Sequence, residues 1–274
     1  MTANHELRAG IVQFDVRLGD EAANLNSVLD GVRRLAEEKT ALAVLPELWS
    51  VGFDTARLAE HAARTPRVLE QVAEAAAAAK MVIAGSLPEA TADGICNTLY
   101  VHDSDGTLAG AYRKVHLFVP NREDRFFLGG DRGLVCPTSV GLLGLIICYD
   151  LRFPEFCRAL ALRGAEALIV SAQWPASRIL HWDVLLRARA IENQLPVIAA
   201  NRCGADSALV YGGHSQVVAS SGEIAVAADD RQPAVLSAVL DKNEQARFRR
   251  EIPCLRDRQP GVYDDLSERK TWEP

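Results

Sequence analysis

The stretch GLIICYDLRFPE, residues 144–155, constrains the chain most. A run of apolar, partly β-branched residues ends abruptly at Cys148. Polar and charged residues follow at once, and Pro154 stands where the first turn of a helix accepts proline. The pattern describes a buried strand, a sharp turn that holds Cys148, and a helix. Elbows of this kind expose a nucleophile at the carboxyl end of a sheet and aim backbone N–H groups at whatever it attacks. The same residues also fit a plainer role for Cys148, as the last small apolar residue of a core strand.

The rest of the chain alternates short apolar runs with helical patterns. Residues 7–14 read as a strand, and Asp20 caps a helix with Leu25, Val28, Leu29, Val32 and Leu35 on one face. Residues 41–45 form a continuous apolar run ending in Pro46-Glu47, the pattern of a strand buried on both faces. Thr65-Pro66 reads as the cap and first turn of an alanine-rich helix reaching Lys80, followed by a strand over 81–85. Residues 96–102 and 107–113 predict a hairpin around Asp105-Gly106. A charged loop over 114–133 leads to the elbow strand (142–148), its helix (154–163) and a strand over 167–171. An amphipathic helix over 178–193 then carries Trp182, Leu185, Leu186 and Ala190 on one side. Strands over 196–200, 215–219, 224–227 and 235–240 complete the sheets. Strands both flanked by helices and joined as hairpins call for a layered α/β fold with mixed sheets. No repeat, linker or composition break divides the 274 residues. One domain over 1–274 is expected, with about 241–274 as a charged, proline-punctuated arm.

The net charge of −6, without a basic cluster, gives no nucleic-acid footprint. Six cysteines (Cys96, Cys136, Cys148, Cys157, Cys203, Cys254) occur without CxxC pairs, so neither a zinc site nor a disulfide framework is indicated. No apolar run approaches membrane-spanning length, and the first residues lack a signal-peptide pattern. A reducing cytoplasm, where a free catalytic thiol persists, is the expected compartment.

Two further stretches bear on Cys148. In VLPELW (residues 44–49), Glu47 ends a buried strand beside proline and tryptophan, and desolvation there raises a carboxyl pKa toward what a general base needs. In AYRKVHLF (111–118), Lys114 stands at the carboxyl end of a predicted strand, where ligands gather in α/β sheets. Each taken alone also fits an ordinary solvated side chain.

Together, in this order, LPELW, YRKVHLF and CYDLRFPE resemble the nitrilase superfamily of carbon–nitrogen hydrolases. The resemblance extends to the Glu123 segment EDRFFLGGD, to WDVLLRARAIENQ (182–194), to AANRCG (199–204) and to the tail IPCLRDR (252–258). It implies a four-layer α-β-β-α sandwich that pairs with a second copy through an outer helical face, here the helices over 154–163 and 178–193.

It also implies a chemistry. A nucleophile that forms a covalent intermediate divides amide hydrolysis into two easier steps. A thiol with an unperturbed pKa of about 8.5 is mostly protonated at neutral pH. Cys148 therefore needs Glu47 to take its proton, while Lys114 favours the thiolate. Lys114 and the backbone N–H of Tyr149 are the expected oxyanion donors. By resemblance Glu123 positions Lys114 or the substrate. The partners are a small amide and water; no metal, organic cofactor, nucleic acid or membrane is implied. Asp150, Arg152 and Glu155 read as braces of the elbow. His116, His181 and His214 lack the context of a papain-like partner for cysteine.

For substrate, WSVGFD (49–54) and SAQWP (171–175) look most like the omega-amidase branch, whose substrates are ω-amides of short keto or dicarboxylic acids such as 2-oxoglutaramate. A free carboxylate at the far end calls for a cation, with Arg122, Arg152 and Arg202 as candidates, and Trp174 as a wall of the pocket. N-carbamoyl compounds and nitriles use the same triad and remain alternatives. So do interception of the thioester by an amine and a silent binding module that keeps the fold.

Overall fold

The computed structural model describes residues 6–230 and 232–264. The first described element is β1 (Glu6–Gln13), buried on both faces from Ala9 onward. In α1 (Glu21–Glu37) the Asp20 side chain accepts from Ala23 N, and Leu25, Val28, Val32 and Leu35 turn inward. Then come β2 (Leu42–Val44), α2 (Leu58–Ala79), β3 (Val82–Ala90), β4 (Ile95–His102) and β5 (Leu108–Arg113). The second half runs β6 (Val135–Thr138), β7 (Gly141–Ile147), α3 (Pro154–Leu162), β8 (Ala167–Ala172), α4 (Ile179–Asn193) and β9 (Val197–Asn201). It closes with β10 (Gln216–Val218), β11 (Ile224–Ala227), β12 (Ala234–Asp241), α5 (Lys242–Glu251) and α6 (Pro260–Asp264).

Among the described residues the strands form two six-stranded mixed sheets, ordered β12-β1-β2-β3-β4-β5 and β11-β10-β9-β8-β7-β6. Each has a parallel trio at its heart, β1-β2-β3 in one and β7-β8-β9 in the other, with antiparallel strands outside. The apolar clusters give the layering. One set (Ile11, Val44, Leu99, Leu145, Ile169) fills the space between the sheets. A second (Val28, Val32, Val68, Val72, Ile83) joins α1 and α2 to the first sheet, and a third (Ile146, Leu160, Trp182, Leu186, Val197) joins α3 and α4 to the second. Three apolar interfaces separate four layers, α-β-β-α. At the carboxyl ends of the parallel strands the sheets are stitched by buried hydroxyls. Ser171 Oγ donates to Leu45 O at 2.9 Å and accepts from Ser86 N at 3.3 Å, while Ser86 Oγ accepts from Leu48 N at 2.8 Å.

Three elements depart from the sequence reading. The helix expected to begin at Thr65-Pro66 begins at Leu58, with Pro66 inside it. The extra turns bury Leu58, His61 and Ala62, and Thr65 Oγ1 donates to Pro88 O at 2.6 Å, so tertiary burial offsets the lost backbone bond. Strand β6 contains Pro137, which disguises it; proline is tolerated there because β6 is a sheet edge. The expected arm starts as α5, docked on the second sheet's end, where Arg249 Nε donates to Gln194 O at 3.1 Å and Gln194 Nε2 donates to Ile252 O at 2.7 Å. Residues 265–274 of that arm, and the first five residues, lie outside the described chain. No helix among the described residues is long and apolar enough to cross a membrane.

Candidate active site

Glu47 lies just past β2, Lys114 directly after β5 and Cys148 directly after β7, all at carboxyl ends of strands. The fold brings Glu47, Lys114 and Glu123 into direct contact. Lys114 Nζ donates to Glu47 Oε1 and to Glu123 Oε1, each at 2.8 Å, and the lysine is wholly buried. Glu47 is equally buried, with Asn97 Nδ2 donating to Oε1 at 2.8 Å and Gln173 N donating to Oε2 at 3.0 Å. Glu123 Oε2 accepts from Phe118 N at 2.8 Å, which folds the 118–123 segment back over Lys114. Glu47, Glu123 and Cys148 together line one cleft of about 400 Å³, open to solvent.

Cys148 is held in a left-handed conformation, φ +45°, which only glycine adopts without strain. It opens a 3-10 turn over Cys148–Arg152, so the N–H of Tyr149 sits where a helical turn has no internal acceptor. Asp150 holds the turn. Its buried carboxylate accepts from Ile147 N at 2.8 Å, Tyr112 Oη at 2.7 Å and His116 N at 3.1 Å, and His116 Nδ1 lies 2.7 Å away. One carboxylate thus ties the Cys148 elbow to the segment that follows Lys114. His116 is stacked on Phe153 with ring centroids 3.7 Å apart, His181 Nδ1 is 3.2 Å from Arg152 Nη1, and His214 Nδ1 is 3.2 Å from Asp183 Oδ2.

The electrostatics follow from two carboxylates sharing one ammonium, all three side chains buried. Burial is the largest influence on Glu47 and raises its pKa; Lys114 pulls it back, and Glu123 pushes it further up. Burial works against the charge on Lys114, but Glu47 and Glu123 outweigh it and keep the ammonium protonated. For Cys148, burial and then Glu47 push the thiol well above its ordinary value, and the pull of Lys114 is the weaker effect. The surroundings of the sulfur therefore favour its protonated form. The Lys114 ammonium, expected to favour the thiolate, is engaged by two carboxylates.

The fold divides the other expected contacts. Tyr149, Arg152 and Trp174 line the cleft. Arg202 is buried behind it, with Nη2 donating to Asp15 Oδ1 at 2.8 Å, Nη1 donating to Gln173 Oε1 at 3.3 Å, and its guanidinium 4.0 Å from the Tyr211 ring centre. Arg122 is exposed, in a left-handed turn before Glu123, and is not among the lining residues. Asn97, Gln173 and Arg178 were not expected. Asn97 carried a signal, an amide within the otherwise apolar run of β4. Arg178 carried none. Among the described residues no group of three His, Cys, Asp or Glu is arranged to hold a metal ion.

With that geometry the comparisons are decisive. Residues 8–250 match the family model for carbon-nitrogen hydrolase. The chain belongs to the carbon-nitrogen hydrolase family. This hydrolase is 34% identical over 255 residues to the 2-oxoglutaramate amidase of Bacillus subtilis (strain 168), covering 92% of this chain and 97% of that one. Its fold superimposes on the carbon-nitrogen hydrolase of Helicobacter pylori G27 with a TM-score of 0.90 at 30% identity, covering 97% and 99% of the two chains. It also matches a mutant of the amidase from Nesterenkonia sp. AN1 with a TM-score of 0.84 at 26% identity, covering 95% and 97%. That structure shows covalent addition of the acetamide moiety of fluoroacetamide at the active site cysteine. The hydrolase is thus a nitrilase-superfamily enzyme with the superfamily's α/β sandwich.

Proposed function

We propose that the enzyme is an amidase that hydrolyses the terminal amide of short acids, with 2-oxoglutaramate-like ω-amides as the substrate class. The observation that carries the reading is the buried contact of Lys114 with both Glu47 and Glu123 beside Cys148 in one cleft. The 2-oxoglutaramate amidase relative supports the choice of substrate.

Glu47 removes the Cys148 proton as sulfur attacks the amide carbon. The C–S bond forms and the carbonyl electrons move to oxygen. An ammonium has three donors, and two are engaged by Glu47 and Glu123, so Lys114 keeps one for the oxyanion beside the Tyr149 N–H. Protonated Glu47 passes its proton to the departing nitrogen. The C–N bond breaks, ammonia leaves, and a thioester remains on Cys148. Water deprotonated by Glu47 adds to the thioester, the C–S bond breaks, and the sulfur regains its proton. Glu123 keeps Lys114 in place throughout.

One domain does this work, in a reducing cytoplasm. A second copy pairs on the outer face of α3 and α4, where Leu162, Leu180, Val184 and Ile191 are exposed. Arg152 and Trp174 bound the far end of the substrate.

An ammonia-release screen over ω-amides, N-carbamoyl amino acids and nitriles tests the reading. Turnover highest on short ω-amides is expected. Turnover only on carbamoyl compounds or nitriles overturns the substrate class, and turnover of none of them favours a silent binding module.

A further inference from the structure

The cleft is electrically lopsided. Its floor holds the carboxylates of Glu47 and Glu123, with Lys114 between them. Its rim holds two guanidinium groups, Arg152 and Arg178. Among the described residues neither pairs with a carboxylate. Arg152 lies 4.5 Å from the centre of the Trp174 ring and 3.2 Å from His181 Nδ1; Arg178 lies 5.7 Å from the centre of the Phe118 ring. Helix α4, which starts just after Arg178, has no acidic residue in its first turn. The placement is fixed from below. Trp174 Nε1 donates to Arg178 O at 2.9 Å, so the indole that supports Arg152 on its face also anchors the backbone of Arg178. Two like charges lining one cleft, without a counter-charge from the described residues, favour an anion from solution.

We propose that Arg178 is a specificity-determining residue that, with Arg152, clamps the carboxylate at the far end of the substrate. This rests on the amidase reading of the cleft and adds to it a direction of entry. An ω-amide that enters amide-first sets a neutral group beside Glu47 and Glu123 and its carboxylate beside the arginines. The reverse orientation sets a carboxylate against two others. The same asymmetry acts on the product: hydrolysis turns the neutral amide into a second carboxylate beside Glu47 and Glu123, so the diacid is held less tightly than the amide it came from. Arginine suits this task because its planar fork meets a carboxylate through two parallel hydrogen bonds.

Steady-state kinetics with succinamate and with butyramide, a neutral amide of the same chain length, read the claim as a ratio of kcat/KM values. The wild type favours succinamate. Arg178→Met lowers the ratio by about tenfold or more, chiefly through KM, as loss of a hydrogen bond to a charged group does. Arg178→Lys recovers part of it. A ratio that Arg178→Met leaves unchanged, or a wild type with no preference for the carboxylated amide, overturns the proposal. Calorimetric titration of Cys148→Ala with succinamate, with and without Arg178→Met, separates this from the amidase reading. Binding that needs Arg178 in an enzyme that turns over no amide keeps the clamp and removes the amidase. Amide turnover with succinamate binding indifferent to Arg178 does the reverse.

Discussion

Lys114 Nζ stands 2.8 Å from Glu47 Oε1 with neither side chain exposed to solvent, and this contact joins segments 67 residues apart. Buried ions are stable only when paired, so the lysine serves the fold whatever its part in the proposed chemistry. Lys114→Met leaves Glu47 and Glu123 facing each other without a counterion. It is expected to destabilise the protein by about 3–5 kcal/mol in denaturant unfolding and to abolish ammonia release.

Asn97 is expected to act through Glu47. Its Nδ2 donates to Glu47 Oε1 at 2.8 Å, which favours the ionised carboxylate, the form that the proposed mechanism needs to take the thiol proton. Burial already holds the Glu47 pKa above its ordinary 4.5, so kcat/KM climbs with pH through an apparent pKa above that value. Asn97→Leu moves this acid limb to higher pH. A role confined to packing leaves the limb where it is.

The same shift has a sign in stability. A carboxyl whose folded pKa is raised contributes stability that is fully present below its unfolded value, here 4.5, and lost as pH rises through the folded one. Lys114 is also raised, so its contribution is fully present below 10.5 and lost only as pH climbs through its still higher folded value. Unfolding measured against pH is expected to show Glu47→Gln gaining on the wild type as pH rises from 4.5 toward neutrality. A constant difference contradicts this.

The elbow stores strain at Cys148. An L-residue in the left-handed region costs about 1–2 kcal/mol that glycine avoids. Cys148→Gly is therefore expected to unfold at higher denaturant than Cys148→Ala, although both are inactive. Equal midpoints argue that the turn relaxes.

Asp150 holds that strain in place. Asp150→Ala leaves Ile147 N, His116 N and Tyr112 Oη without their acceptor, each such loss costing about 1–3 kcal/mol. Lower stability together with lower kcat is expected, because the elbow and the Lys114 segment lose their common anchor. Lower stability with unchanged kcat shows the anchor to be structural only.

How far the sequence carried differs by kind of feature. Glu47, Lys114 and Cys148 could be singled out because each stands at the carboxyl end of a predicted strand, where ligands gather, and because LPELW, YRKVHLF and CYDLRFPE occur in that order; no one of the three was specific alone. The start of α2 was not: Pro66 gives a strong local signal, and only the burial of Leu58 and Ala62 overrides it. Arginine was the hardest residue to read. Arg122, Arg152 and Arg202 all lie near cleft segments in sequence, yet Arg202 points into Asp15 and Gln173, and Arg122 points to solvent. Where a guanidinium points is decided by partners far away in the chain, and Arg178, which no motif marked, shares the rim with Arg152.

The central claim is that Cys148 carries the acyl group. Rapid-quench intact-mass measurement during turnover of a slow amide reads it directly. The account predicts a species heavier by the substrate less one ammonia, mapped to Cys148 and absent from Cys148→Ala. Ammonia release by Cys148→Ala at the wild-type rate, or an adduct on a different cysteine, contradicts it.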